Sequence, residues 1–423
     1  MKTSSEPRNE PKINVVEMSD STSDTQELPI TIRPLRIPED GKALADLFNA
    51  FNEIWEGGFF GQGRNTAETA IDLISQLQWL EIYVAEDAKG HFMGICSVHP
   101  HSRDKDACYV GLLGAHPHAI GKKVGKRLML RALEKASEAK MARLDLNTWP
   151  GNLKAMPLYK KVGLFWVPDT SVSMENYVPG ILSNPAFREF WQKHPDWYGI
   201  FKREISQSPD IEELDGLDVY TYWFEAGNEH LIVWIDRYAK DLLGFDLKLN
   251  GRQLKARVKA PTNIAYRGLT HQFSLLLSSS ETISSLMIET ILPNEVQLQR
   301  EFPMRVNNVT ETALESQFTV ALGAPLYKPQ FKGLIPKIKL SWGSKEEVIL
   351  YLGLKIDSAI EIDLSQESRT LNPRHIPRLV ELVLTNKLKS EVQGALTFTR
   401  TSGFTPNVAE LPVSLSSEEA ALI

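Results

Sequence analysis

The 423-residue sequence contains only two cysteines, Cys96 and Cys108. Two thiols cannot build the disulfide framework of small secreted domains, so the sequence predicts a reduced, cytoplasmic protein. No apolar run approaches the ~20 residues that a membrane-spanning helix needs, which predicts no membrane partner.

Positive charge is not in excess, because 47 Lys and Arg against 53 Asp and Glu give a net charge of −6. Non-specific binding to nucleic acid needs a basic surface, so we predict no nucleic-acid partner. Metal-ligand patterns are equally scarce. His99, His101, His116 and His118 are close in sequence, but they form no i, i+4 pair on a helix and lack an accompanying Cys or Asp ligand set. The sequence therefore predicts no metal site.

The composition is that of an ordinary globular protein, with 42% hydrophobic and 24% charged residues, and the length allows two or three domains. Mixed strand and helix patterns come first, and almost pure strand-and-turn patterns follow. The predicted units are a disordered tail (1–28), an α/β domain (29–180), a helical connector (181–215), a β-rich, sandwich-like domain (216–370) and a second β-sandwich unit (371–423).

A weak internal repeat is predicted within the β region, between residues 268–292 and 377–399. Each copy predicts two strands joined by a polar turn, and the strand rhythm loosely resembles immunoglobulin-like sandwiches. About 50 residues follow the start of the second copy, whereas a sandwich takes about 100. Either that unit is incomplete or the chain is a fragment of a longer protein.

A strand-like run from Cys108 breaks at His116-Pro117 into a loop that opens a helix. Glycines in this loop, Gly121 and Gly125, allow backbone N–H groups to approach a ligand. The N-terminus of the following helix adds unpaired donors and the positive end of a dipole. The stretch therefore predicts a phosphate-binding site.

Basic residues crowd the same helix end, namely Lys122, Lys123, Lys126 and Arg127. Such a run is usually a solvated helix face. Its position just behind the glycines favours phosphate contact instead, because the macrodipole by itself would place acidic residues in a first turn.

The spacing excludes both GxxxxGK[ST] and a full GxGxxG. The hexad Ile120-Gly121-Lys122-Lys123-Val124-Gly125 instead resembles motif A of the GNAT acetyltransferase superfamily, in which a Gln/Arg-x-x-Gly-x-Gly/Ala loop holds the pyrophosphate of acetyl-CoA. The last glycine matches the motif. Ile120 replaces a polar residue, and Lys123 replaces the first glycine.

A second match strengthens this resemblance. Asn152, Ala155 and Leu158-Tyr159, followed by Gly163-Leu164, resemble the superfamily pattern N-x-x-A-x-x-L-Y-x-x-x-G-F, with Leu in place of Phe. On one helix, Asn152, Ala155 and Tyr159 would share a face and address one extended ligand. The resemblance covers roughly residues 30–180 and implies an α/β GNAT fold, with a mixed, splayed β-sheet flanked by helices, followed by an all-β, sandwich-like region.

The resemblance also implies acetyl-CoA as the co-substrate and a set of residues that contact it. Backbone groups of Leu113 to Ala115 would pair with the pantetheine arm as an added strand would. The implied cofactor-binding residues are Leu113, Gly114, Ala115, Gly121, Lys122, Lys123, Val124, Gly125, Lys126, Asn152 and Ala155.

Two tyrosines are the catalytic candidates. Tyr159 would protonate the departing CoA thiolate, since a phenol with a pKa of about 10 matches a thiolate of similar basicity without a large shift. An isolated tyrosine would more often be a core residue, but the spacing from Asn152 favours the functional role. Tyr109 lies where several family members carry a Glu base. It could line the acceptor pocket, and a water relayed by His99, His101 or a backbone carbonyl could then replace that base.

The sequence thus predicts an N-acetyltransferase in which a primary amine attacks acetyl-CoA directly and a backbone N–H near Leu113 to Ala115 stabilises the oxyanion. Aminoglycoside, polyamine, peptide N-terminus and lysine all fit as acceptors, and the β region could recruit a protein partner. The alternative is a GNAT-like module that senses acyl-CoA, with β domains that mediate assembly.

Overall fold

A computed structural model describes residues 30–54, 63–329, 331–342, 346–364, 380–398 and 408–422. The predicted disordered tail lies outside these residues. Within the described part of the chain, no helix is both long and apolar enough to cross a lipid bilayer.

Strands and helices alternate over the first part of the described chain. Its helices are α1 (Gly41–Ile54), α2 (Ala67–Ser75), α3 (Val124–Glu138) and α4 (Met156–Lys161). Its strands are β1 (Thr31–Pro34), β2 (Glu81–Glu86), β3 (Phe92–Pro100), β4 (Ala107–Ala115), β5 (Arg143–Asn147), β6 (Phe165–Trp166) and β7 (Ser173–Asn176). They form one sheet in the order β1-β2-β3-β4-β5-β7-β6, in which β4 and β5 are parallel and the other neighbours are antiparallel.

Helices cover both faces of this sheet. Leu44, Leu47, Phe48 and Phe51 form the buried stripe of α1, with the i, i+3, i+4, i+7 spacing of an amphipathic helix. Together with α2 they pack on one face of the sheet, where Leu112 of β4 lies. The apolar stripe of α3 packs on the opposite face, together with the core side of α4.

The predicted connector contains three short helices, α5 (Val178–Ser183), α6 (Arg188–Lys193) and α7 (Trp197–Ile200). The strands of the β region are β8 (Phe201–Lys202), β9 (Glu213–Leu214), β10 (Leu217–Ala226), β11 (Glu229–Asp236), β12 (Asp241–Leu249), β13 (Arg252–Lys259), β14 (Ile264–Tyr266), β15 (Thr270–Ile291), β16 (Val296–Arg300), β17 (Arg305–Val320), β18 (Lys337–Trp342), β19 (Glu346–Tyr351), β20 (Lys355–Asp357), β21 (Ile360–Leu364), β22 (Leu382–Asn386), β23 (Val392–Thr397), β24 (Glu410–Leu415) and β25 (Ala420–Leu422).

Most of the β region is one large sheet that folds back on itself. The first half of β15 pairs with β13 and its second half pairs with β18. The next strand, β19, lies against β12 and β13, so two layers face each other there. Smaller sheets, β14-β20, β21-β22-β25 and β23-β24, complete the region.

The structure corrects the predicted repeat. Residues 268–292 do not form two strands with a turn, because β15 runs through them as a single strand of 22 residues. A register shift between Ser278 and Ile283 accommodates the polar segment without reversing the chain, and that segment lacks the Gly, Pro or Asn that a tight turn requires. In the second copy, β22 and β23 belong to different sheets. The predicted boundary at residue 370 lies outside the described residues, and the immunoglobulin-like resemblance stays a prediction.

Candidate active site

The parallel pairing of β4 and β5 is short. Ala107 to Tyr109 pair with Arg143 to Asp145, and beyond this point the two strands separate. β4 continues to Ala115, hydrogen-bonded to β3 on its other side, while β5 pairs with β7. The structure therefore has the predicted split, and the edge of β4 that carries Leu113, Gly114 and Ala115 faces it without a strand partner among the described residues.

A β-bulge lies at the start of this split. Ser97 pairs with Leu112 and the next residue, Val98, pairs with Val110, so Gly111 is an extra residue in β4. A Cβ atom at Gly111 would lie 2.6 Å from Nε2 of His99, so any larger residue here would have to displace the His99 ring. The family resemblance predicts a bulge where the two parallel strands diverge, and an isolated glycine within a strand pattern is its usual signal.

The loop before α3 presents the predicted phosphate-binding end. Gly121 has a φ of 83° and Lys123 a φ of 56°, and this left-handed backbone turns the chain into the helix at Val124. No side chain in the described part of the chain caps the N-terminus of α3, and Lys122 and Lys123 are exposed. The N–H groups of the first turn therefore remain available to an anion.

Two further members of the predicted loop have contacts within the protein. A Cβ atom at Gly125 would lie 3.1 Å from Cδ2 of Leu158, so this glycine lets α3 pack closely against α4. The ammonium of Lys126 lies 4.0 Å from the ring centroid of Tyr198, in α7. The connector thus contacts the N-terminal end of α3, where the sequence predicts the phosphate site.

The helix that carries Tyr159 begins later than predicted, at Met156. Asn152 and Ala155 form the turn before it. Asn152 Nδ2 donates to Thr148 Oγ1 at 2.8 Å, and Asn152 Oδ1 accepts from the backbone N–H of Ala155 at 3.3 Å. Asn152 therefore shapes the start of α4 rather than sharing a helix face with Tyr159, and its predicted cofactor contact stays a prediction.

Tyr159 is buried against the core, with 7% of its surface exposed. Burial, together with the nearby thiol of Cys96, raises the pKa of Tyr159 to about 12. Cys96 is paired with Leu113 across β3 and β4, so a neighbour of the phenol is one strand away from the edge of the split. The expectation of an ordinary pKa is therefore wrong, and burial makes the phenol a weaker acid than the sequence predicts.

The connector holds α4 in place. The buried ammonium of Lys160 lies 3.0 Å from Asp210 Oδ2 and donates to the carbonyl of Ser208 at 2.6 Å. Arg203 donates to the carbonyls of Lys160 and Leu164 at 2.9 and 2.5 Å. Residues outside the α/β unit therefore fix the helix on which Tyr159 sits.

On the sheet face that carries α1 and α2, a row of polar residues crosses four strands. The register pairs His99 with Tyr109, Tyr109 with Asp145, and Asp145 with Glu175. Directly paired residues place their side chains on the same face. The Tyr109–Asp145 pair is the last one before the split, so this row borders it.

A buried charge cluster surrounds the row. Nε of Arg143 donates to Asp145 at 2.9 Å, and NH1 of Arg143 donates to Asp104 at 2.6 Å. The β region contributes two lysines, with Lys240 at 2.5 Å from Glu175 and Lys332 at 3.1 Å from Asp104. Arg143 and Asp145 alternate with apolar residues in β5, and this pattern in the sequence indicates a polar face of the strand. No pattern in the sequence indicates the two lysine partners, because they are far away in the chain.

Among the described residues, no group of three or more His, Cys, Asp or Glu side chains could hold a metal ion.

The sequence model of the Acetyltransferase (GNAT) family matches residues 44–164. No curated protein matches the chain. Among solved structures, the chain is similar to the ribosomal-protein-alanine N-acetyltransferase of Brucella melitensis, with 18% identity, a TM-score of 0.29, and 35% of this chain and 99% of that chain covered. It is also similar to the PaiA N-acetyltransferase of Thermoplasma acidophilum in complex with coenzyme A, with 20% identity, a TM-score of 0.29, and 36% and 99% covered.

The family match and the mixed sheet with helices confirm the fold class predicted for the first part of the chain, and the region that follows consists largely of β sheets. Residues 44–164 therefore form an acetyltransferase domain of the GNAT family.

Proposed function

We propose that the chain is an N-acetyltransferase that passes an acetyl group from acetyl-CoA directly to a primary amine in a ternary complex. The geometry of the split carries this proposal. An unpaired β4 edge suits an extended pantetheine arm, and the uncapped N-terminus of α3 lies where phosphates would follow. The match of residues 44–164 to the acetyltransferase family supports the choice of acyl donor.

In this mechanism the backbone N–H groups between Leu113 and Ala115 stabilise the oxyanion that forms on the thioester carbonyl. Tyr159 protonates the CoA thiolate as the C–S bond breaks. The phenol is suitably placed, because it lies on the α3 side of the sheet, next to the β3–β4 pair Cys96 and Leu113.

A CoA-release assay tests the proposal, with purified full-length protein, acetyl-CoA and a panel of four amines: an aminoglycoside, a polyamine, a peptide with a free N-terminus, and an N-terminally blocked peptide that contains lysine. We expect acetyl transfer to at least one of them. Binding of CoA without turnover on any amine would overturn the enzyme assignment and favour an acyl-CoA sensor. A location in the cytoplasm and a protein partner on the β region stay predictions.

A further inference from the structure

The polar row and Tyr159 lie on opposite faces of the sheet. Tyr159 belongs to the core under α3, whereas Asp145 and Tyr109 occupy the face that carries α1 and α2. Gly111, where the split begins, is two residues beyond Tyr109, or about 7 Å along the strand. A thioester held in the split would therefore have the proposed acid on one side of the sheet and the row on the other.

Two members of the row are already occupied within the protein. His99 donates from Nδ1 to the carbonyl of Gln78 at 2.6 Å, and its Nε2 accepts from the hydroxyl of Ser97 at 2.8 Å. Glu175 accepts from Lys240 at 2.5 Å and from the hydroxyl of Tyr177 at 2.6 Å. Asp145 is hydrogen-bonded as well, since both of its oxygens accept from Nε of Arg143, at 3.0 and 2.9 Å, so its position at the split, and not a lack of partners, distinguishes it.

Asp145 is the carboxylate of the row that borders the split. Burial raises its pKa above the ordinary range, Arg143 opposes this rise, and the carboxylate of Glu175 adds to it. His101 lies 3.7 Å away, through Nε2. Because Nδ1 of His101 accepts the backbone N–H groups of Arg103 and Asp104, the proton of the neutral ring is on Nε2 and faces Asp145. His101 is partly exposed and so links Asp145 to solvent.

We propose that Asp145 is the general base for the acceptor amine, and that Lys240, contributed by the β region, is a positioning residue that controls its charge. This inference rests on the proposed function. The charged and titratable groups around Asp145 are Arg143 on β5, Tyr109 and Cys108 on β4, His101 before β4, Glu175 on β7, and Lys240 between β11 and β12. Arg143 in turn contacts Asp104 and interacts with Tyr177.

The proposed step balances as follows. An N–H bond of the acceptor ammonium breaks and its proton passes to the carboxylate of Asp145, while the freed nitrogen lone pair forms the C–N bond with the thioester carbon. Collapse of the intermediate breaks the C–S bond, and the thiolate takes the proton of Tyr159. A second amine proton then restores Tyr159 through water, and Asp145 releases its proton to solvent past His101. The products are the amide, CoA and one proton.

Lys240 connects this chemistry to the β region. Its ammonium contacts Glu175, the cross-strand neighbour of Asp145, and its positive charge favours the ionised form of Asp145. Loss of that charge would raise the pKa of Asp145 further. The acetyltransferase site would then need a higher pH for the same rate.

The test compares Asp145→Asn with Asp104→Asn in the full-length protein. Both carboxylates pair with Arg143, but Asp104 lies outside the row, so it is a matched control. CoA affinity by calorimetry and the pH dependence of kcat/KM with the fastest panel amine are measured for each. We expect Asp145→Asn to lower kcat at least about 100-fold and to change CoA affinity less than about threefold. It should also abolish the acidic limb of the pH profile, which is the fall of kcat/KM at low pH. Asp104→Asn should keep the limb.

The inference would be overturned if Asp145→Asn kept the acidic limb of its kcat/KM profile, or if kcat fell equally in the two variants. The proposed function would still stand. No turnover on any amine by wild-type protein that binds CoA would overturn both. Lys240→Met is the second variant if Asp145→Asn fails to fold. We expect its acidic limb to move to higher pH by about half a unit or more, whereas a purely structural role would lower the melting temperature and leave the limb in place.

Discussion

At the residue scale, Tyr159 is both a core residue and the proposed acid. Its ring is buried among the residues under α3, and its raised pKa results chiefly from that burial. A buried phenol remains protonated over the whole physiological range. The two roles that the sequence leaves as alternatives are therefore compatible in one side chain.

Tyr159→Phe separates these roles, because it keeps the ring and removes the proton donor. We expect kcat to fall at least about tenfold with the dissociation constant of acetyl-CoA nearly unchanged, since general acids typically contribute about 10²- to 10⁴-fold. Steady-state kinetics and calorimetry give the two quantities. Tyr83→Phe is the control, as another buried tyrosine whose pKa is raised to about 12. An unaltered kcat in Tyr159→Phe would exclude the acid role.

Alkaline pH gives a second test of the buried tyrosines. Burial raises the pKa of Tyr83 and Tyr159 to about 12, against about 10 in the unfolded chain. Between these values only the unfolded chain loses the protons, so the stabilisation is complete below about pH 10 and is lost as the pH rises towards about 12. We expect denaturant midpoints to fall across this window, and to fall less in Tyr83→Phe with Tyr159→Phe. Native tyrosines that all titrate near pH 10 would contradict this.

At the scale of the element, the first turn of α3 combines a left-handed entry with exposed cations. Lys123 adopts a positive φ that is unusual for a residue with a side chain, and α3 starts without a side-chain cap. A bound phosphate would satisfy the free N–H groups and account for the lysines.

Reversing the charge of Lys122 and Lys123 to Glu should weaken CoA binding at least about tenfold, because charge-assisted hydrogen bonds contribute about 1.5–3 kcal/mol each. Binding of pantetheine, which lacks the phosphates, should change little. The matched control is Lys89→Glu with Lys140→Glu, since Lys140 is also exposed with a positive φ but lies beyond the other end of α3. Calorimetry with both ligands measures the difference. If the affinities for CoA and for pantetheine fell equally, the lysines would lie outside the phosphate site.

At the scale of the whole molecule, one hydrophobic core runs from the acetyltransferase domain into the β region. Phe165 of β6 stacks on Tyr220 of β10, with 4.6 Å between ring centroids. The hydroxyl of Tyr222 donates to the carbonyl of Gly163 and accepts from the backbone N–H of Tyr177, both at 2.8 Å. The predicted domain boundaries are crossed by buried contacts, which favours unfolding of these parts as a unit.

Tyr222→Phe tests this coupling. It leaves the buried N–H of Tyr177 and the carbonyl of Gly163 without their partner, which should cost about 1–3 kcal/mol. We expect a lower melting temperature in calorimetry with a single transition, because both sides of the contact share one core. Tyr198→Phe, which keeps its ring over Lys126, should change stability by less than about 0.5 kcal/mol. Two separate transitions, with only one shifted, would show that the parts unfold independently.

Local signals in the sequence were sufficient for most of the elements. The short apolar runs of β2 and β3, the amphipathic stripe of α1 and the glycine-lysine loop before α3 are all visible in the sequence, because burial restricts the residue types of each element locally. The pattern around Tyr159 identified the family for the same reason, since its spacing is local.

Tertiary structure decided what depends on contacts between distant residues. Two contacts join segments that are far apart in the chain, that of Tyr198 with Lys126 and that of Lys240 with Glu175. The uninterrupted course of β15 likewise depends on the distant strands with which it pairs. The periodicity of a sequence does not indicate which distant residues will be in contact. The pKa values of Tyr159 and Asp145 depend on the burial and the neighbouring charges that such contacts create. The sequence alone thus determined the acetyltransferase elements and their order, while packing decided which side chains border the split and with what charge.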